Sequence, residues 1–128
     1  MKELLAGLLI WLNGHGFPAC TGQPAIHYGN DARGYVAWYQ DGVVQLSHRF
    51  DREGLAIAPN AQRSKLARSA LLHELVHFCQ WQREGAIHSH SERAWLERED
   101  EAYALQTIYL REQGSATVLA WRRNDDDW

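Results

Sequence analysis

"LLHELVHFCQ", Leu71 to Gln80, sets two histidines four residues apart, with a glutamate directly after the first, inside an otherwise apolar run. No glycine or proline interrupts the chain from Ala61 to Glu84, and Gly85 follows as a C-cap signal, so the run is predicted to lie on one long helix. At 100° per residue His77 falls about 40° from His73 and about 6 Å along the axis, so both imidazoles project from one face. That separation suits two nitrogen ligands on a single ion. Leu72, Leu75, Val76 and Cys79 gather on another part of the wheel and give the helix a packing face. Glu74 flanks the histidines without pointing where they point, a position from which a carboxylate can reach a water on the same ion.

His73, Glu74 and His77 thus form an HExxH pattern, the zinc-binding signature of metallopeptidases. The pattern fixes three residues only and arises by chance in histidine-rich chains, so a second signal is required. A catalytic zinc ion takes three protein ligands and keeps one open position, which calls for a further donor downstream. The segment "WLEREDEAYALQ" offers Glu97, Glu99, Asp100 and Glu101, and helical phase separates them. With Trp95 at the centre of the inward face, Glu99 is the acid nearest that centre, Asp100 and Glu97 point away, and Glu101 is marginal. Gln106 also points inward. Polar groups on a buried stripe need partners, and a metal ion facing the two histidines would supply one.

Around this pair of helices the chain reads as one α+β domain spanning residues 1–128. Its 128 residues give room for a single core, and 45% apolar with 23% charged residues is the balance of a folded globular chain. A net charge of -3 with acids and bases interspersed gives no surface for nucleic acid or an anionic membrane. Leu4, Leu5, Leu8, Leu9 and Leu12 have amphipathic spacing and predict an N-terminal helix ending at Asn13-Gly14, not a leader peptide. A cytoplasmic, monomeric protein is therefore expected. "AIHYG", "GYVAWYQ" and "VVQLSHRF" are rich in β-formers, and Asp41-Gly42 between the last two is a hairpin signal, so an antiparallel β-meander is expected, with one more short strand at Gly54–Pro59. Ser89 or Ser91 can cap the third helix, which should run to Gly114. Cys20 and Cys79 are the only cysteines. One pair does not make a disulfide framework, and Cys79 on a core helix is expected to be a buried free thiol.

"HELVH" followed by "EDEAY", an ExxA pattern running on to Tyr103 and Gln106, resembles the gluzincins, above all the small minigluzincin-type metallopeptidases of bacteria or phage. About fifteen residues carry the likeness, which extends loosely over the N-terminal helix, the strands and both later helices. It implies a zincin-like fold, one zinc ion held by His73, His77 and Glu99, and Glu74 as general base and acid. The chain departs from the pattern at Tyr103, where several gluzincins carry an aspartate that bonds a zinc histidine. A register with Glu97 as ligand and Glu101 four residues later would restore an acidic partner.

On this reading the substrate is a peptide or protein, its carbonyl polarised by zinc while Glu74 moves the proton. Tyr103 and His90 are candidate donors to the developing oxyanion, His88 and His90 are rival third ligands, and "VVQLSH" offers an edge for an extended substrate. Two other classes compete. A zinc-stabilised binding or regulatory module would hold the metal and cleave nothing, and a purely structural protein would hold none, its six tryptophans serving a partner surface or the core.

Overall fold

The leucine stripe near the N-terminus forms helix α1 (Lys2–Asn13) in the computed structural model, which describes residues 1–29, 37–47, 62–85 and 91–115. Leu5, Leu8, Leu9 and Leu12 are buried on its inner face, as their spacing requires. The helix stops at Asn13, whose side-chain amide donates to the carbonyls of Phe17 at 2.9 Å and Cys20 at 3.0 Å. This folds the following loop back under the helix. Phe17 goes into the core, and Cys20 is delivered to the penultimate turn of the next helix.

There the structure corrects the expectation of a free thiol: Cys20 and Cys79 form a disulfide, with Cα atoms 5.3 Å apart. Cys79 is buried, as its place on the helix predicts, but it meets a partner 59 residues away that local pattern cannot reveal. Beside the disulfide, Gln82 accepts from the Thr21 backbone at 3.0 Å and donates to its carbonyl at 2.7 Å, while Arg83 lies over the Phe17 ring at 4.8 Å. Loop and helix are therefore clasped at several points.

Strands β1 (Ala25–Tyr28), β2 (Ala37–Gln40) and β3 (Val43–Leu46) make one sheet in the order β1-β3-β2. Asp41 and Gly42 have φ of 51° and 83°, so the expected hairpin closes through a turn with both central residues left-handed. The sheet is mixed, however, and not an antiparallel meander. β1 runs parallel to β3 in the register Ala25 to Val43, on the side of β3 away from β2. β3 carries the fully buried Val44 and Leu46 and takes the centre, where both its edges are hydrogen-bonded.

Helix α2 (Gln62–Arg83) and helix α3 (Glu92–Glu112) follow, and α2 packs against α3, β2 and α1. Leu71, Leu72, Leu75 and Val76 are wholly buried, joining α1 and β3 in one hydrophobic core. Gly85, with φ of 62°, ends the run after α2. Ser91, not Ser89, caps α3, its hydroxyl accepting from the Ala94 amide at 3.1 Å. At the far end Ser115 N–H reaches the Leu110 carbonyl and Gly114 N–H the Arg111 carbonyl, a Schellman closure that the left-handed Gly114 (φ 84°) permits. The described residues thus build a small α+β domain of three helices and a three-stranded mixed sheet. The strand expected at 54–59 lies outside the described residues. No described helix is long and apolar enough to cross a membrane.

Candidate metal centre

Four residues of α2 carry His73 once round the helix to His77, and the two rings meet edge to face with centroids 4.9 Å apart. Their Nε2 atoms lie 3.2 Å from each other. From α3, Glu99 reaches both: one carboxylate oxygen is 3.2 Å from His73 Nε2 and the other 2.7 Å from His77 Nε2. The three side chains are 8%, 12% and 13% exposed, so a charge among them is shielded from solvent. Donors bound at ~2.0–2.1 Å in a tetrahedral zinc site stand about 3.3 Å apart, so these atoms need open by only a few tenths of an ångström. His73, His77 and Glu99 are placed where they could hold a metal ion together.

The other acids at the start of α3 are turned elsewhere. Glu97 is exposed and pairs with Arg93 at 3.4 Å, and Asp100 is exposed. Glu101 faces Arg83, with contacts of 3.0 and 2.9 Å, and accepts from Gln80 Nε2 at 2.9 Å. The alternative register with Glu97 as ligand therefore does not match the geometry. Trp95, expected at the centre of the inward face, is 41% exposed and stands in the cavity wall. The buried stripe of α3 runs through Ala102, Leu105, Gln106, Tyr109 and Leu110, the inward phase expected, and Trp95 lies at its exposed N-terminal end.

Each histidine turns its second ring nitrogen to a buried glutamine. His73 Nδ1 is 2.9 Å from Gln106 Oε1, and His77 Nδ1 is 2.9 Å from Gln80 Oε1. Gln106 was visible on the inward phase of α3; Gln80 was missed, although it falls about 20° from His73 on the wheel of α2. Tyr103 packs its ring against His73, with centroids 4.4 Å apart.

Burial, foremost, raises the pKa of Glu74, as does the nearby Glu99, while the two histidines and the Tyr39 backbone amide that it accepts from pull it down. Glu99 shows the reverse outcome. Burial works against its charge, but hydrogen bonds from His73 and His77 hold its carboxyl at about 2. Burial also opposes the charge on His77, yet the bond to Glu99 and the charge of Glu74 leave its pKa raised.

These groups open onto a cavity of about 400 Å³, walled by Trp38, Tyr39, Trp95 and Tyr103. The register of the hairpin pairs Gln40 with Val43 across the turn, and alternation then turns the backbone groups of Ala37 and Tyr39 away from β3 and toward the helices. The edge beside the cavity is thus β2, not the expected "VVQLSH" strand, which sits between two neighbours. His88 and His90 lie outside the described residues. Compared with known proteins, the chain matches no family model, no curated protein and no solved structure, so the site is characterised by its own residues.

Proposed function

We propose that the protein is a small zinc-dependent metallopeptidase of the gluzincin type, hydrolysing a peptide or protein substrate. One observation carries the reading: two imidazole nitrogens and a carboxylate from neighbouring helices converge within bonding distance, with a buried carboxylate, Glu74, beside them at the floor of a cavity. Nitrogen and oxygen donors in this number suit zinc, and three protein ligands leave a position open. When bound, zinc supplies a Lewis acid that polarises a carbonyl and acidifies water.

Glu74 then takes the proton from the attacking water and returns it to the leaving amine, a role matched to its raised pKa and its fixed tie to the Tyr39 amide. Tyr103, in the cavity wall against His73, is the described candidate to donate to the oxyanion. The outward-facing backbone of Ala37 in β2 offers an extended substrate a strand to pair with, beside Glu74. As to compartment, disulfides persist in oxidising surroundings and are rare in cytosol. The Cys20–Cys79 pair therefore supports an extracytoplasmic site of action over the expected cytoplasmic one.

Metal analysis of the protein purified without a histidine tag tests the first half of this reading. One zinc per chain, lost in His77→Ala, is expected; equal metal in both would reject it. Glu74→Gln should keep its zinc and lose hydrolysis of a broad peptide library. A second reading has an observation of its own, since the same donors link α2 to α3 and a zinc ion there would brace the fold without turnover. In that case the library stays uncut by the wild type as well.

A further inference from the structure

Gln80 is wholly buried and Gln106 nearly so, and a carboxamide is tolerated in such a place only when both its ends are satisfied. Both are, and the direction of every proton can be followed. Ser69 Oγ donates its single proton to the Leu66 carbonyl at 2.7 Å, so toward Gln106 it can only accept. Gln106 gives it Nε2–H at 3.0 Å, which turns Gln106 Oε1 to His73 Nδ1 at 2.9 Å and requires that nitrogen to carry hydrogen. On the other histidine, Gln80 Nε2 donates to the Arg98 carbonyl and to Glu101 Oε1, both at 2.9 Å, and Arg83 anchors that carboxylate. Gln80 Oε1 therefore faces His77 Nδ1 as an acceptor, and His77 too carries its hydrogen there.

Each relay begins at a backbone carbonyl, a group that cannot donate, so neither can run backwards. We propose that Gln80 and Gln106 are positioning residues of the metal centre, each locking one histidine as the Nδ1–H tautomer with the Nε2 lone pair aimed at the space shared with Glu99. The proposal rests on the metal-site reading and says how that site is held ready. Two Nε2 lone pairs 3.2 Å apart beside a carboxylate oxygen repel one another unless a proton or a metal cation lies among them, and a metal ion would take over the place that protons shared with Glu99 fill in its absence. A carboxamide suits each position because it accepts from the imidazole and donates beyond it at once, which neither a carboxylate nor an alcohol does in the same geometry.

The test is zinc affinity by chelator competition for wild type, His77→Ala, Gln80→Met, Gln106→Met and Gln106→Glu, together with long-range ¹H–¹⁵N NMR of the histidine rings in the zinc-loaded wild type. Methionine keeps the bulk and removes the acceptor, so each methionine variant should bind zinc about 10- to 100-fold more weakly. Gln106→Glu, which retains an acceptor for His73, should recover most of the loss. The NMR spectrum should show both rings protonated at Nδ1 and ligated through Nε2, a readout that needs no variant to fold. Ligation through Nδ1, or methionine variants that bind as tightly as wild type while His77→Ala does not, would overturn the positioning role and leave the metal site standing. Undiminished binding by His77→Ala would overturn both.

Discussion

Removing the disulfide by Cys20→Ala with Cys79→Ala should lower stability far more than it disturbs the site. The bridge closes a loop over a sequence separation of 59, and the loop-entropy relation then gives about 4 kcal/mol of stabilisation at 25 °C, exerted on the unfolded chain. Unfolding entropy of about 2.1 cal/mol/K per residue makes about 0.27 kcal/mol/K for 128 residues, so the expected fall in Tm is about 15 °C. In the folded state the loop keeps its other ties: the two Gln82 bonds to Thr21, the Asn13 amide on two carbonyls, and Phe17 under Arg83. Cys79 lies two residues beyond His77, yet its removal leaves the histidine relays in place, so zinc affinity should change little. Thermal unfolding of metal-free oxidised wild type and the double variant, with chelator competition on both, measures the two quantities. Melting temperatures within a few degrees of each other, or two titratable thiols in unreduced wild type, would refute the reasoning.

Further outcomes follow from burial and charge at the site. Zinc and a proton compete for His77 Nε2, so with the His77 pKa raised, zinc affinity should fall as pH drops through that raised value, and a pH-independent affinity would contradict it. In the metal-free protein, Glu99 at about 2 against an ordinary 4.5 contributes stability that is present above 4.5 and lost as pH falls toward 2, whereas the raised His77 contributes below 6.5 and loses its share as pH rises through its folded value; urea unfolding across pH 2 to 9 should show both flanks. Leu72→Ala, at a wholly buried position opposite the histidine face, should cost about 2–5 kcal/mol, read by the same unfolding assay. Tyr103→Phe should keep bound zinc and reduce kcat by about 10²- to 10³-fold if its hydroxyl meets the oxyanion, and unchanged kcat would remove it from the mechanism.

The helices and the convergence of His73, His77 and Glu99 were legible because helical phase is a local property. Spacing alone puts the histidines on one face, and phase alone picks Glu99 from four neighbouring acids. Gln80 was as legible as Gln106, lying close in phase to His73 on α2. What phase cannot give is pairing between distant segments. The position of β1 beyond β3, the disulfide from Cys20 to Cys79 and the choice of β2 as the cavity edge all depend on contacts closed across the chain. Trp95 marks the limit of the wheel itself: its phase is inward, but it stands 41% exposed in the wall of the cavity.

The acidity of Glu74 and the loading of the centre are one electrostatic event. Burial first, and then Glu99, raise the pKa of Glu74, while the imidazoles and the Tyr39 amide oppose them, so before loading the carboxyl holds its proton more tightly than a free one does. A dication among His73, His77 and Glu99 would add the largest local charge, displace the proton from His77 and favour the anion of Glu74. Its arrival would thus favour the anionic form that the proposed hydrolysis needs in a base. The glutamine relays matter to this exchange. Because Gln80 and Gln106 are neutral, the ligand set brings a single negative charge, from Glu99, and leaves most of the cation's field to act on Glu74 and on whatever enters the cavity. Carboxylates in their places would damp that field, which gives a physical reason for amides behind both histidines.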